Sequence, residues 1–397
     1  YALCRLKGVT AFCLASDEKE AQTLCNDLSC MGLRAYVYPV RDFNFLDFQS
    51  RSHEYEHARL KVLLKLLNHE CDVAIACVDA AAQLTVPRNV LEQSVIEFEE
   101  GRELSLEKAT KALTLLGYER FDAVEGSGQF SLRGGILDFF MPDSDYPVRC
   151  EFWGDEITDL SYFDIETQRR FKKADKITLS PSTEIVIEDR AALADKIEHK
   201  AKLLRSKNSA KAKEKLFSEA ELIRSGAMIA NADKFINQIY DKPESLFDYL
   251  DRNTLVFASE FTAIQERGKS MDFISNETLM QGFEDGTLCR GFDRFALTFN
   301  ECTEFLQSHG TIVLENFVHG SMPIKLSEII SFSTKQLSAW GGSYKQLKED
   351  VDGLFTPESK GVIFAGTERA AKNLCDTFNA DGINACLLYT SPSPRDV

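Results

Sequence analysis

The chain has 397 residues. This is too long for a single compact core, so we expect two to four domains. Hydrophobic residues make up 44% of it and charged residues 27%, a globular composition that excludes a disordered chain. The net charge of -16 argues against broad, non-specific binding to nucleic acid, which needs a cationic surface.

The cysteines and the hydropathy of the chain indicate the cellular compartment in which we expect the protein. The 11 cysteines include no Cys-x-x-Cys pair, and most of them lie in apolar runs as small buried side chains. Reduced thiols are typical of the cytoplasm, which is the localisation that we expect. No stretch reaches the ~20 apolar residues of a membrane span and no signal peptide is visible, so we expect no membrane partner.

The first part of the chain alternates strands with helices. Apolar, strand-like segments cover residues 9–15, 34–38 and 72–78, and helical periodicity lies between them. Ser16 is the predicted N-cap of the first helix, because acidic residues follow it in the first turn. This alternation predicts a parallel sheet with covering helices, and hence an α/β fold.

The pattern changes after Gly101. A short helix is followed by a Gly-Ser-Gly turn and then by segments that alternate apolar and polar residues. These segments cover residues 129–133, 135–140, 148–152 and 157–163. They predict a small antiparallel α+β domain inserted after the first part of the sheet.

The rest of the chain returns to mixed α/β patterns. The predicted elements are a long polar helix at 188–215, strands at 254–257, 310–314 and 361–365, and a helix at 368–378. The tail, residues 388–397, does not continue the last α/β unit. It resembles a sequencing scar, so we expect it to be non-native.

One motif could indicate a metal site. His53 and His57 formally match the zinc-protease motif His-Glu-x-x-His, in which both histidines share one helix face and Glu54 polarises a zinc-bound water. No other histidine has the spacing of a third ligand. A charged helix start is the favoured interpretation, and a zinc hydrolase is the weaker alternative.

Two further motifs have structural explanations. The turn at 126–128 begins like a dinucleotide fingerprint, but Ser131 holds the third glycine position and a strand follows, so a tight turn is favoured. Basic residues between 200 and 215 could contact phosphates. Acidic residues are interleaved with them, which favours a solvated helix face.

The chain contains no Walker A motif, Gly-x-x-x-x-Gly-Lys-Ser/Thr. The strand at 254–257 ends in Ala258-Ser259-Glu260, where a working nucleotide hydrolase needs an aspartate at the Ser259 position to hold magnesium. A serine hydroxyl is a poor substitute for that carboxylate. Ser259 and Glu260 therefore mark a degenerate Walker B position in a sheet like that of a P-loop ATPase.

Several blocks of sequence resemble one family and occur in its order. They are 38–43 (YPVRDF), 54–60 (EYEHARL), 128–140 (GQFSLRGGILDFF), 147–157 (PVRCEFWGDEI), 162–169 (YFDIETQR) and 235–249 (FINQIYDKPESLFDY). Together they are similar to the N-terminal region of the bacterial transcription-repair coupling factors (Mfd), a module shared with the excinuclease protein UvrB. The likeness runs from the first residues to about residue 385.

The resemblance implies a division into domains. Domain 1a would cover residues 1–94, without the N-terminus that includes the Walker A position. The other parts would be domain 2 (95–181, α+β and partner-binding), domain 1b (182–327, completing the α/β domain), a truncated α/β domain 3 (328–387) and the tail (388–397).

The resemblance also implies a partner. In this family domain 2 binds the excinuclease protein UvrA, and the contact positions fall on Arg133, Arg149 and Trp153. Arginine suits bidentate pairing with a carboxylate at an interface, and a tryptophan can supply a central apolar anchor. The alternative is that Arg133 pairs internally with Asp138 or Glu151 and that Trp153 belongs to the core.

The implied function is a non-catalytic recruitment module of transcription-coupled nucleotide excision repair. We expect no cofactor in this part of the protein, with ATP, magnesium, RNA polymerase and double-stranded DNA binding to motor and other domains outside it. The alternative is an ATP-dependent DNA-damage-binding protein like UvrB. Ser259, the lack of an aromatic-rich hairpin and the charge of -16 count against that alternative.

Overall fold

The computed structural model describes residues 4, 8–41, 53–94, 96–204, 209–226, 232–317, 322–332, 341–354, 361, 363, 365 and 367–387. The chain divides into two compact units, residues 1–324 and residues 325–397. Each unit is described by itself.

The elements are numbered in chain order. The strands are β1 (Ala11–Ala15), β2 (Ala35–Tyr38), β3 (Val73–Cys77), β4 (Ile96–Glu99), β5 (Glu119–Arg120), β6 (Gln129–Arg133), β7 (Ile136–Phe139), β8 (Val148–Trp153), β9 (Glu156–Phe163), β10 (Arg170–Lys173), β11 (Lys176–Leu179), β12 (Leu255–Ser259) and β13 (Thr311–Leu314). The α-helices are α1 (Glu18–Cys30), α2 (Glu54–Leu67), α3 (Val78–Ala82), α4 (Arg88–Gln93), α5 (Leu106–Leu115), α6 (Arg190–Leu203), α7 (Ser209–Ser225), α8 (Ile236–Ile239), α9 (Phe261–Asp285), α10 (Phe299–His309), α11 (Tyr344–Leu354) and α12 (Glu368–Ala380).

A parallel sheet of five strands organises the first unit, in the order β13-β12-β1-β3-β2. Ala11 of β1 pairs with Val73 on one side and with Leu255 on the other, so early and late parts of the chain lie side by side. All five residues of β3 are buried, as expected for a strand covered on both faces. The prediction of an α/β fold with a parallel sheet is confirmed.

The N-cap of α1 differs from the prediction by one residue. The carboxylate of Asp17, not Ser16, accepts a hydrogen bond from the backbone N–H of Glu20 at 2.8 Å. Ser16 donates its backbone N–H and its hydroxyl to Glu20 Oε2, at 2.8 and 2.7 Å. Serine and aspartate are both good N-caps, so composition could not decide between neighbouring positions.

The inserted region forms a six-stranded sheet, in the order β10-β9-β8-β7-β6-β5. Its neighbours are antiparallel except for β5 and β6, and a separate two-stranded sheet pairs β4 with β11. Both sheets and α5 share one core, which includes Phe98, Leu113, Leu137, Phe139 and Leu160. The antiparallel meander with one helix agrees with the sequence pattern, whereas the β4–β11 pair was not predicted.

A buried ionic cluster ties the end of the inserted region to the parallel-sheet domain. Arg59 of α2 is fully buried and donates from Nε to Glu184 Oε1 at 2.6 Å. Thr85 donates its hydroxyl to Glu184 Oε2 at 2.6 Å, and Arg41 Nη1 lies 3.5 Å from the same oxygen. The carboxylate of Glu184 is therefore held by three side chains that lie before the inserted region in the chain.

The prediction of one long polar helix at 188–215 is wrong. The chain forms two helices, α6 and α7, and residues 205–208 between them lie outside the described part. The two helices bury apolar side chains in one core, among them Leu193, Ile197, Ala212 and Leu216. A single straight helix would leave these apolar stripes in water, and burying them favours two packed helices.

In the second unit α11 and α12 pack through polar contacts. Tyr344 Oη and Lys348 Nζ both donate to Asp381 Oδ2, at 2.9 and 2.8 Å. Helix α12 confirms the helix predicted at 368–378. The strand predicted at 361–365 includes residues outside the described part, and the tail 388–397 lies outside it entirely.

Among the described residues, no helix combines the length and the hydropathy that crossing a membrane requires.

Candidate docking surface

The six-stranded sheet has one apolar and one polar face. Because cross-strand partners share a face, the register places Asp138, Arg149 and Ser161 together, and likewise Ile136, Glu151 and Asp159. The opposite side chains, such as Phe139 and Cys150, enter the core. We define the outer face as Ser131, Arg133, Ile136, Asp138, Arg149, Glu151, Trp153, Asp159 and Ser161.

Asp138 joins the two arginines of the outer face. Its carboxylate accepts from Arg133 Nη2 at 2.9 Å, and from Arg149 Nε and Nη2 at 2.8 and 2.9 Å. The Asp138 side chain is 1% exposed, the Arg149 side chain 13% and the Arg133 side chain 52%. The trio has a net charge of +1, and Arg133 is the member that presents most of its surface to solvent.

Arg149 is held on several sides. Its Nη1 donates to the backbone oxygen of Gln168 at 3.2 Å, and its Nη2 to Gln168 Oε1 at 3.0 Å. The guanidinium carbon lies 4.3 Å from the centre of the Phe163 ring, which is buried. The hydrogen bonds to Asp138 raise the pKa of Arg149 above its ordinary value. Arg149 therefore orders the turn before β10 as well as charging the outer face.

Trp153 stands at the end of β8 and is 82% exposed. The register of β8 against β9 shifts between Glu151 and Phe152, so the regular ladder is interrupted just before the tryptophan. A core position for Trp153 is thus wrong. Its ring is presented to solvent, and tryptophan is one of the side chains that contribute most to binding when a partner covers them.

An ionic cluster that sequence reasoning missed lies beside Trp153. Glu151 and Asp159 face each other across β8 and β9, an arrangement that is unfavourable for two like charges. Arg170 of β10 ion-pairs with both, with Nη1 3.0 Å from Asp159 Oδ2. The internal partner of Arg133 is Asp138, and Glu151 pairs with Arg170 instead. Cross-strand register, which single-strand alternation does not give, was the missing signal.

Ser259 and Glu260, which the sequence predicts to be a degenerate Walker B position, lie at and just after the end of β12, in the parallel sheet. Ser259 donates its hydroxyl to Glu20 Oε1 at 2.7 Å, so the serine is engaged by a carboxylate of its own chain. Glu260 has a left-handed backbone, with φ of 53°, and precedes α9. Its Oε1 accepts from the backbone N–H of Asn316 at 3.1 Å. The two residues make separate internal contacts.

The histidines of the zinc-like motif serve the helix start and its packing. His53 Nδ1 lies 3.0 Å from Glu56 Oε2, and His53 is the N-cap residue of α2. The ring of His57 packs against Gly128, where a Cβ would come within 2.6 Å of its Cε1 atom. Throughout the described ranges, no three His, Cys, Asp or Glu side chains are grouped as a metal ion needs.

Comparison with known proteins finds one family model that is similar to the inserted region. Residues 96–185 match the family model described as the UvrB interaction domain. This match covers both the six-stranded sheet with its outer face and the β4–β11 pair.

The whole chain also has named relatives. It is 26% identical over 392 residues, 96% of its length, to the transcription-repair-coupling factor of Bacillus subtilis. It is 24% identical over 87% of its length to that of Staphylococcus epidermidis. The chain spans 33% and 30% of the length of these two relatives. It is thus similar to the transcription-repair-coupling factors along most of its length, and residues 96–185 match the UvrB interaction domain.

Proposed function

We propose that this chain recruits the excinuclease protein UvrA to transcription-coupled repair, and that the outer face binds it. The observation that carries the proposal is the pairing of Arg133 and Arg149 on one buried carboxylate, on the same face of the sheet as a tryptophan that is 82% exposed. The family match supports it, because the domain is named for an interaction of UvrB.

The chemistry of the outer face defines what it can bind. Arg133 makes one ion pair with Asp138 and keeps further N–H donors on an exposed guanidinium, so it can bind a carboxylate of another protein. Arg149 has an indirect role, because its two hydrogen bonds fix the Asp138 carboxylate that pairs with Arg133. Trp153 supplies the apolar contact, and the partner should therefore offer a carboxylate beside an apolar recess.

Further partners belong to the remainder of a longer protein. We infer that RNA polymerase, double-stranded DNA, ATP and magnesium bind parts of such a protein outside the region matched here, since the chain spans 33% of the Bacillus subtilis relative. The parallel-sheet domain would then serve as the scaffold that carries the outer face.

The docking proposal predicts a binding defect without a folding defect. Replacing Arg133 with alanine should weaken UvrA binding by about 1–3 kcal/mol, as loss of an interfacial charged pair does. The melting temperature should stay within about 2 °C of wild type, because the side chain is half exposed and its loss leaves Asp138 paired with Arg149. Calorimetric titration of the whole chain with purified UvrA measures the first effect.

Arg120 is the matched control for Arg133. It is an exposed arginine on β5, the edge strand next to β6, and its cross-strand partner Phe130 belongs to the core face of the sheet, not to the outer face. Arg120→Ala should therefore bind UvrA as the wild type does. Equal affinities for Arg133→Ala and wild type would refute the assignment of the site. No binding by the folded wild-type chain would refute the partner.

The degenerate nucleotide position predicts that this chain does not hydrolyse ATP. A serine stands where a carboxylate would hold magnesium, and its hydroxyl is donated to Glu20. A coupled phosphate-release assay with magnesium and ATP should give a rate equal to that of the buffer. Turnover that follows the chain through purification and disappears on heat unfolding would contradict this inference.

A further inference from the structure

Helix α9 is fixed to its domain at two points. Its residues Phe261, Ile264, Gly268 and Gly282 are buried. A Cβ on Gly268 would lie 2.1 Å from the ring of Phe299, and one on Gly282 would lie 2.7 Å from Leu288, so the backbone of the helix approaches its neighbours closely there. The helix between these glycines is held in place from one side.

The opposite side of α9 carries a stripe of exposed side chains. At about 100° per residue, Lys269, Phe273, Met280 and Glu284 fall within about 60° of one another, and about 150° from the buried side. Phe273 is 63% exposed and Met280 61%, and Lys269 and Glu284 are also exposed. Large apolar side chains at such spacing are typical of a helix that packs against another helix.

The order of charges along the stripe makes it complementary to itself. Lys269 stands four residues before Phe273, and Glu284 stands four residues after Met280. When two copies of α9 run antiparallel with Phe273 of each against Met280 of the other, Lys269 of each lies beside Glu284 of the other. A twofold axis therefore gives two apolar contacts and two ion pairs from one set of residues.

We propose that two copies of this chain associate through this stripe of α9, as an antiparallel pair of helices. Within the described part of the chain no ion pair is made by Lys269 or Glu284, so both charges are available to a second copy.

The size of the contact sets its strength. Two helices that meet over about four turns bury less than the ~1,200 Å² of a standard interface, so the dimer should be weak, with a dissociation constant on the order of tens of micromolar. Since Lys269 and Glu284 are exposed, their attraction is screened by salt. The dimer should accordingly weaken as the salt concentration rises.

Sedimentation equilibrium of the whole chain at low salt tests the proposal. Protein concentrations from about 1 to 200 µM bracket the expected dissociation constant. We expect a monomer–dimer equilibrium. Lys269→Glu should weaken the dimer at least about tenfold, because two ion pairs become two repulsions, and Glu284→Lys should do the same. The double variant Lys269→Glu with Glu284→Lys should restore the dimer, because it restores both pairs with exchanged signs.

Matched controls separate the stripe from general effects. Lys108→Glu reverses the charge of an exposed lysine on α5, and Phe121→Ala removes a phenylalanine that is 44% exposed. Neither control should change the dissociation constant of the dimer. Phe273→Ala, which removes an apolar side chain of the stripe, should raise it. A chain that stays monomeric at the highest concentration would overturn the proposal. Single charge variants that weaken the dimer without rescue by the double variant would overturn the antiparallel register.

Discussion

Replacing Glu184 with alanine is expected to lower the free energy of unfolding by about 3–5 kcal/mol, as loss of one partner of a buried ion pair does. The Arg59 guanidinium is fully buried and donates to the Glu184 carboxylate at 2.6 and 3.3 Å. The variant keeps that positive charge inside the protein and removes its counterion. Chemical denaturation of the wild type and the variant, followed by circular dichroism, measures the difference.

Helix α2, which carries Arg59, also offers a control for Glu184→Ala. Lys61 of α2 pairs with Asp145 at 3.1 Å, but the Asp145 side chain is 80% exposed. Asp145→Ala should change stability by at most about 1 kcal/mol, as exposed pairs do. If Glu184→Ala cost no more than Asp145→Ala, the buried cluster would not stabilise the fold.

The pH dependence of the Glu184 effect has a definite sign. Burial raises the pKa of Glu184, but the charges of Arg41 and Arg59 outweigh it and leave the pKa below the ordinary value of 4.5. A carboxyl group with a lowered pKa contributes stability above its unfolded value and loses it as the pH falls through the folded value. The difference between wild type and variant should therefore be full at neutral pH and shrink below about pH 4.5.

Local patterns predicted the elements of this fold better than its long-range contacts. The buried strand β3 and the α/β class follow from apolar runs that alternate with helical periodicity. Arg59 and Glu184 are 125 positions apart in the chain. The sequence around either residue does not predict that the other is its partner. Such contacts depend on how the inserted region closes onto the parallel-sheet domain.

The outer face shows the same limit at a smaller scale. Strand alternation places Arg133 on β6 and Arg149 on β8, and the family resemblance singled them out as contact positions. The structure shows that the two strands are not neighbours, because β7 lies between them. The carboxylate that the two arginines share depends on the register of β6, β7 and β8. That register places Asp138 of β7 where both arginines pair with it. Trp153 could not be assigned to surface or core, because the register shift before it is a feature of the paired strands.

Replacing Asp138 with alanine should affect folding and binding together. The carboxylate accepts three hydrogen bonds from Arg133 and Arg149, and it is 1% exposed. Its removal leaves Arg149, which is 13% exposed, without a counterion, and we expect a loss of about 2–4 kcal/mol of stability. Asp138→Asn keeps the shape and one acceptor oxygen, and should recover part of this loss.

Binding to UvrA provides the sharper comparison. If the outer face works because Asp138 preorganises two guanidinium groups, folded Asp138→Asn should bind UvrA at least as weakly as Arg133→Ala, although it adds positive charge to the face. If net charge alone governed binding, Asp138→Asn should bind an acidic partner more tightly than wild type. Asp159→Asn is the matched control, because Asp159 is more exposed and its partner is Arg170. The direction of the Asp138→Asn effect therefore distinguishes preorganisation from simple attraction.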